Sequence, residues 1–135
     1  MIESIIGLIT SSLPQVQSIY LFGSQADGTA GENSDVDIAL LLPPADAREL
    51  GELGFSDLRF ALEKKLAKSV DLINLRLSST VFQNEICNQG RRIYCTDKYE
   101  TELFEMLVLS YYCKLNEERG EILKQAIESK RYYAI

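Results

Sequence analysis

A Gly-Ser pair followed, after ten residues, by two aspartates constrains this chain more than any other feature. Gly23 and Ser24 end one apolar segment, and Asp35 and Asp37 open a second apolar segment that runs to Leu42. Both segments are typical of β-strands. Because alternate side chains of a strand share a face, we expect Asp35 and Asp37 to project together. Two such carboxylates repel each other and are unfavourable to desolvate, and a divalent cation removes that penalty.

This Gly-Ser, ten-residue, Asp-x-Asp pattern resembles the signature of the polymerase-beta-like nucleotidyltransferase superfamily. Within the superfamily, the chain is similar to minimal nucleotidyltransferases of the MntA type, the antitoxins of HEPN/MNT toxin–antitoxin pairs. The signature covers only Gly23 to Asp37, and the order of the other elements extends the resemblance over most of the chain. It implies an α/β (α+β) nucleotidyltransferase fold with a small mixed β-sheet flanked by helices.

Residue periodicity predicts helices and strands in an order that agrees with that fold. The predicted strands, four in number, are 17–22, 36–42, 69–75 and 92–95. The predicted helices are 2–13, 46–67, 79–90 and a long C-terminal helix at about 98–131. Strand 36–42 is apolar without a break from Ile38 to Leu42, so we expect it to be covered on both faces. Asp97 and Glu100 form a capping-box pattern for the last helix.

The last helix is apolar around most of its circumference between residues 103 and 115. A helix that covers one side of a sheet needs only one apolar stripe. The surplus is explained either by packing within the domain or by a partner or second copy. We expect this helix to pack on the domain and on a partner.

Composition narrows the possible functions. A chain of 135 residues is expected to form one domain, 1–135. Its net charge of −6 argues against direct binding of nucleic acid through phosphates. The chain has no histidine, which excludes histidine acid–base chemistry within it, and its three cysteines form no CxxC pair, which disfavours zinc. The amino-terminal segment lacks the features of a signal peptide, and no apolar run approaches the ~20 residues of a membrane span. We therefore expect a soluble, cytoplasmic protein.

The candidate site combines three parts that nucleotidyl transfer needs. Gly23 and Ser24 can bind phosphates through backbone N–H groups. Asp35 and Asp37 can hold metal, and the resemblance implies two Mg²⁺ ions with ATP as the substrate. Asp71 matches the third acid of the family, which lies on the strand after the intervening helix. Taken singly, each feature also has an ordinary structural explanation: a turn, an Asx cap or a solvent-facing edge residue.

The chain departs from the family pattern in one place. Many members carry an arginine shortly after the Gly-Ser turn, and this chain has Asp27 there. No lysine or arginine precedes Arg48. Arg48 and Arg76 are therefore the candidates for a basic triphosphate contact.

The resemblance implies an antitoxin that is a protein adenylyltransferase. It would transfer AMP from ATP to a tyrosine hydroxyl of a cognate HEPN-domain ribonuclease toxin, with release of pyrophosphate. The small size and acidic charge fit a protein acceptor. Two alternatives remain open: a small-molecule nucleotidyltransferase of the aminoglycoside-modifying type, and an antitoxin that acts by binding alone.

Overall fold

A four-stranded mixed sheet forms the centre of the computed structural model, which describes residues 1–28, 31, 34–54 and 56–133. Its strands are β1 (Ser18–Phe22), β2 (Val36–Leu41), β3 (Val70–Asn74) and β4 (Arg91–Cys95). They lie in the order β3-β2-β1-β4. β1 pairs antiparallel with β2 and β4, whereas β3 runs parallel to β2. The predicted mixed sheet is thereby confirmed.

Helices cover both faces of the sheet. They are α1 (Ile2–Ser12), α2 (Ser24–Asp27), α3 (Pro44–Leu50), α4 (Asp57–Leu66), α5 (Thr80–Gln89) and α6 (Lys98–Tyr133), with a 3-10 turn at Leu75–Leu77. α1 and α4 pack together on one face. α5 and α6 pack on the other, against Tyr20 of β1. In the described part of the chain, no helix combines the length and apolar character needed to cross a membrane.

Strand β2 is buried on both faces, as its apolar sequence predicts. Ile38 and Leu40 belong to the core beneath α1 and α4. Ala39 and Leu41 belong to the core beneath α5 and α6. Asp37 is the half-buried exception within the strand. A carboxylate in an otherwise apolar central strand is unfavourable unless it serves a binding role.

The predicted helix 46–67 is wrong as a single element, because the chain breaks between α3 and α4. Gly51 adopts a φ of 62°, a backbone conformation that glycine adopts without a steric penalty. The Asn74 side chain holds the break: its Nδ2 donates to the carbonyl oxygens of Ala47 (3.0 Å) and Gly51 (2.9 Å). The next helix, α4, is capped by Ser56, whose hydroxyl accepts a hydrogen bond from the Arg59 N–H.

The long C-terminal helix is confirmed, and its described buried side chains all lie in its first third. Asp97 Oδ1 accepts a hydrogen bond from the Glu100 N–H (3.1 Å), as the capping pattern predicts. The Thr101 hydroxyl bonds the Ser18 hydroxyl at 2.6 Å in the buried contact with β1. Val108 is the last buried residue among the side chains described up to residue 128. A 36-residue helix is about 54 Å long, so most of α6 extends away from the sheet.

Candidate active site

Strand register brings Asp71 beside Asp37. The two residues are paired partners in the parallel β2–β3 ladder. Paired residues on neighbouring strands lie about 4.8 Å apart and project to the same face. Asp35 lies just before β2, and it lines one cleft together with Asp37 and Asp71. Phe22 of β1 is the antiparallel partner of Asp37, and it packs against the core beneath α5 and α6. The aspartate pair therefore lies on the face of the sheet that these two helices cover.

The Gly23 turn lies directly against Asp37. Gly23 has a φ of 64° and directly precedes the short helix α2, which begins at Ser24. A Cβ atom added to Gly23 would lie 2.4 Å from Oδ2 of Asp37. Only glycine allows the carboxylate and the turn to approach so closely. The Gln25 side chain adds a second link, because its Nε2 donates to the Asp35 carbonyl oxygen at 3.4 Å.

The three aspartates influence one another electrostatically. Burial raises the pKa of the Asp37 carboxyl above its usual range, and the neighbouring carboxylates of Asp71 and Asp35 raise it further. This is the arrangement in which a bound cation is most favourable, because it offsets both the desolvation and the repulsion. Carboxylate oxygens are also the ligands that Mg²⁺ prefers. The donor set therefore fits the metal that the sequence predicts.

The carboxylates are not arranged as a finished metal cage. Across residues 1–28, 31, 34–54 and 56–133, no group of three acidic, cysteine or histidine side chains meets the geometry of a metal site. Asp35 and Asp71 are exposed, whereas Asp37 is half-buried. The roles of Asp35, Asp37 and Asp71 as joint ligands thus stay a prediction, supported by the pairing of Asp37 with Asp71 and by the effect of the two neighbouring carboxylates on Asp37.

Clefts open on both sides of the paired aspartates. Asp37 lines a cleft of about 340 Å³ together with Gly23, Phe22 and Phe82. Asp71 lines a cleft of about 440 Å³ on the β3 side, which Phe82 also borders. The aromatic rings of Phe22 and Phe82 pack edge to face, with centroids 5.5 Å apart. Phe82 of α5 therefore borders the space on the Gly23 side and the space on the Asp71 side.

The sequence reasoning missed Arg59. This residue lines a cleft of about 250 Å³ together with Asp35, Asp37 and Asp71. Its Nε donates to the Val70 carbonyl oxygen at 2.8 Å, which fixes the guanidinium at the start of β3. The sequence offered one hint of its role: Arg59 lies on the helix that precedes the strand of Asp71. The contact with Val70 depends on how α4 packs, which the local sequence does not show.

Arg48 and Arg76, the basic residues considered from the sequence, lie elsewhere. Both line a cavity beside Phe104 of α6, near the end of β2 opposite the aspartates. The Arg76 guanidinium donates to the Leu42 carbonyl oxygen and to Gln17 Oε1, and it stacks over the Phe104 ring. Arg76 therefore joins β2 to α6 and cannot reach a triphosphate at Gly23. The Asp27 side chain lies outside the described part of the structure.

Comparisons with known proteins agree with the geometry. Residues 3–99 match the family model described as polymerase beta, nucleotidyltransferase. The chain is 38% identical over 121 residues to the protein adenylyltransferase MntA of Shewanella oneidensis, covering 90% of this chain and 84% of that protein. It also resembles a chain in the crystal structure of a toxin–antitoxin with AMP-PNP (34% identity, TM-score 0.73, covering 93% of this chain and 98% of that chain).

A further solved structure contains a tri-AMPylated Shewanella oneidensis HEPN toxin in complex with its MNT antitoxin. The matched chain is 31% identical with a TM-score of 0.67, and the match covers 93% of this chain and 95% of that chain. These similarities extend beyond the Gly-Ser and Asp-x-Asp signature to nearly the whole length.

Proposed function

Since this chain belongs to the polymerase beta nucleotidyltransferase family, we propose that it transfers AMP from ATP to a tyrosine hydroxyl of a cognate HEPN-domain toxin. The toxin would be a ribonuclease that the modification silences, so the chain would act as an antitoxin. The observation that carries the proposal is the pairing of Asp37 with Asp71 directly beside the Gly23 turn. Because ATP is a cytoplasmic substrate, the proposed reaction takes place in the cytoplasm.

Each site residue has a defined task in the proposed reaction. Backbone N–H groups at Gly23 and Ser24 bind the triphosphate. Asp71 accepts a hydrogen bond from the acceptor hydroxyl and takes up its proton as the new oxygen–phosphorus bond forms. The bond between the α-phosphorus and the oxygen that bridges to the β-phosphate breaks, and pyrophosphate leaves. Positioning and charge neutralisation supply most of the catalysis in such a transfer.

We propose that Asp35, Asp37 and Asp71 hold Mg²⁺ during this reaction. The cation would neutralise charge on the entering and leaving oxygens. The raised pKa of Asp37 supports this proposal, since its cause is burial together with the carboxylates of Asp71 and Asp35.

Transfer is tested by incubating the full chain with ATP, Mg²⁺ and the HEPN protein, followed by intact-mass analysis of that protein. We expect mass increases in AMP units. Asp35→Asn and Asp37→Asn should each lower the transfer rate by at least about 100-fold, because charge positioned at the transition state is lost. Asp57→Asn, which removes an exposed carboxylate at the start of α4, is the matched control. Tight binding without any modification would contradict catalysis and favour an antitoxin that acts by binding alone.

The metal assignment has a separate test in thermal unfolding. Asp37→Asn relieves the repulsion within the aspartate group, so we expect the metal-free variant to be at least as stable as the wild-type protein. Mg²⁺ should raise the melting temperature of the wild-type protein and have little effect on the variant. Equal stabilisation of both proteins would contradict a role for Asp37 as a ligand.

We further propose that the distal part of α6 packs on the toxin. Beyond Val108, no side chain described up to residue 128 is buried, and apolar side chains are exposed there. They include Leu109, Tyr111, Ile122, Leu123 and Ile127. Such a surface favours a protein partner over solvent.

A further inference from the structure

The order of the strands spreads the parts of the site along one line. Gly23 follows β1, Asp37 lies on the central strand β2, and Asp71 lies on β3. With neighbouring strands about 4.8 Å apart, Asp71 lies roughly 10 Å from the phosphate-binding turn, on the other side of Asp37. In an in-line transfer, the attacking and leaving oxygens lie on opposite sides of the phosphorus. If pyrophosphate leaves on the Gly23 side, the acceptor hydroxyl must arrive on the Asp71 side.

The cleft on the Asp71 side offers a place for that acceptor. The cleft has a volume of about 440 Å³ and lies between β3, the start of α5 and the connection after α3. Leu77 and Phe82 provide apolar walls, and Leu77 is 47% exposed, so its side chain is available to a ligand. This cleft is separate from the one that contains Gly23 and Asp37.

The charged groups among the described residues of the cleft are carboxylates, beside the hydroxyls of Ser78 and Ser79. Glu52 and Asp71 contribute carboxylates, and no lysine or arginine is among the described residues that line it. Asn74 also lines the cleft and is only 5% exposed, yet its Oδ1 accepts no hydrogen bond from any described residue. A buried oxygen without a donor is unfavourable, and Asn74 is already fixed through its Nδ2 to the end of α3. These groups repel phosphate and attract N–H donors and positive charge.

We propose that this cleft is the acceptor site, and that it binds a hydroxyl-bearing aromatic side chain from a protein segment that also carries donors and positive charge. The inference rests on the proposed adenylyl transfer and identifies the residues that select its substrate. Leu77 and Phe82 contact the aromatic ring, whereas Glu52 attracts the positive charge of the segment. Asp71 meets the hydroxyl.

The test separates acceptor binding from nucleotide binding. Leu77→Glu places a charge on the apolar wall, and Glu52→Lys reverses the charge at the rim, while both residues are exposed and tolerate substitution. With the full chain, ATP, Mg²⁺ and the HEPN protein, we expect kcat/KM for the HEPN protein to fall at least about tenfold in each variant. The KM for ATP should stay within about twofold of the wild-type value. Glu49→Lys, an exposed charge reversal on nearby α3 away from the cleft, is the matched control and should behave as wild type.

The possible outcomes are distinguishable. Wild-type values of kcat/KM in both variants would overturn the acceptor site while leaving the proposed function intact. A rise in the KM for ATP that matches the loss of kcat/KM would instead assign the cleft to the nucleotide, and this also overturns the inference. Absence of transfer by the wild-type protein would contradict the proposed function itself, and the inference with it.

Discussion

Two independent requirements restrict position 23 to glycine. Its φ of 64° is unfavourable for a residue with a side chain, and its missing Cβ leaves room for the carboxylate of Asp37. The motif in the sequence identifies the glycine but gives neither of these reasons. The second depends on the pairing of β1 with β2, which places the turn and the aspartate side by side.

Substituting Gly23 and Gly51 with alanine separates the two requirements. Gly51 has nearly the same φ, 62°, and nothing lies within 4 Å of its added Cβ. Gly51→Ala should therefore lower the free energy of unfolding by about 1–3 kcal/mol, the penalty of a positive-φ backbone that residues with side chains rarely adopt. Gly23→Ala should carry that penalty and also displace Asp37, so we expect transfer to fall at least about 100-fold. Chemical denaturation and the AMP-transfer assay give the two values, and equal activity of the two variants would contradict the close-contact argument.

The sequence predicts the site residues better than it predicts their surroundings. Asp35 and Asp37 follow from strand alternation alone, and the paired position of Asp71 agrees with the expected third acid. Arg59 could not be found in this way, because its place beside the aspartates depends on the packing of α4 against the start of β3. Local patterns report which face a residue occupies, whereas contacts between distant elements depend on register and packing.

Among the elements, α5 and α6 are tied to the sheet through a group of titratable side chains. The Tyr20 hydroxyl donates to Glu105 Oε1 at 2.6 Å, and Arg92 of β4 forms an ion pair with the same carboxylate at 3.3 Å. Burial and the nearby Glu105 carboxylate raise the pKa of the Cys87 thiol from 9.0 to about 12. Burial and the bond to Glu105 raise the pKa of Tyr20 as well. The protein thus keeps protons here that the unfolded chain would lose.

This group predicts a loss of stability at alkaline pH. Above about pH 9 the unfolded chain releases the Cys87 proton, while the folded protein keeps it until about pH 12. Because the unfolded state then binds fewer protons, the free energy of unfolding falls as the pH rises through this window. Cys87→Ala should show a smaller fall between pH 7 and pH 11, with Tyr20 responsible for what remains. Cys113→Ala, an exposed cysteine on α6, is the control in urea denaturation at each pH, and identical curves for all three proteins would contradict the assignment.

Element boundaries show why some of the fold escapes sequence reasoning. β2 was predictable because an uninterrupted apolar run suits a strand that is covered on both sides. The break between α3 and α4 was not, since Gly51 and Gly54 only weaken a helix locally. The Asn74 side chain, from a strand 23 residues farther along the chain, binds the end of α3 and makes the break specific.

At the scale of the whole molecule, the chain divides into a packed body and a projecting helix. The body contains the sheet, both cores and the aspartates, and Val108 is the last side chain of α6, as far as residue 128, that is buried in it. The sequence correctly predicts the surplus of apolar residues on α6, because Met106, Leu109 and Tyr111 remain exposed beside the buried Phe104 and Val108. The described part of the chain does not cover these side chains.

Shortening α6 tests this division. A chain that ends at Asn116 keeps every buried side chain that the structure describes on α6 up to residue 128, so its free energy of unfolding should change by less than about 1 kcal/mol. Its affinity for the HEPN protein should weaken at least about tenfold, because the exposed apolar surface of the distal helix is removed. Isothermal titration calorimetry measures the affinity, with Asp37→Asn as a full-length control that should bind normally. Unchanged affinity of the shortened chain would show that the toxin docks on the body.

The position of β3 at the margin of the sheet has an evolutionary consequence. Asp37 lies on an interior strand that is paired on both sides, whereas Asp71 belongs to the strand at the margin of the described sheet. Descendants of such a protein can remodel the rim around Asp71 and accept new targets while the nucleotide half is inherited unchanged.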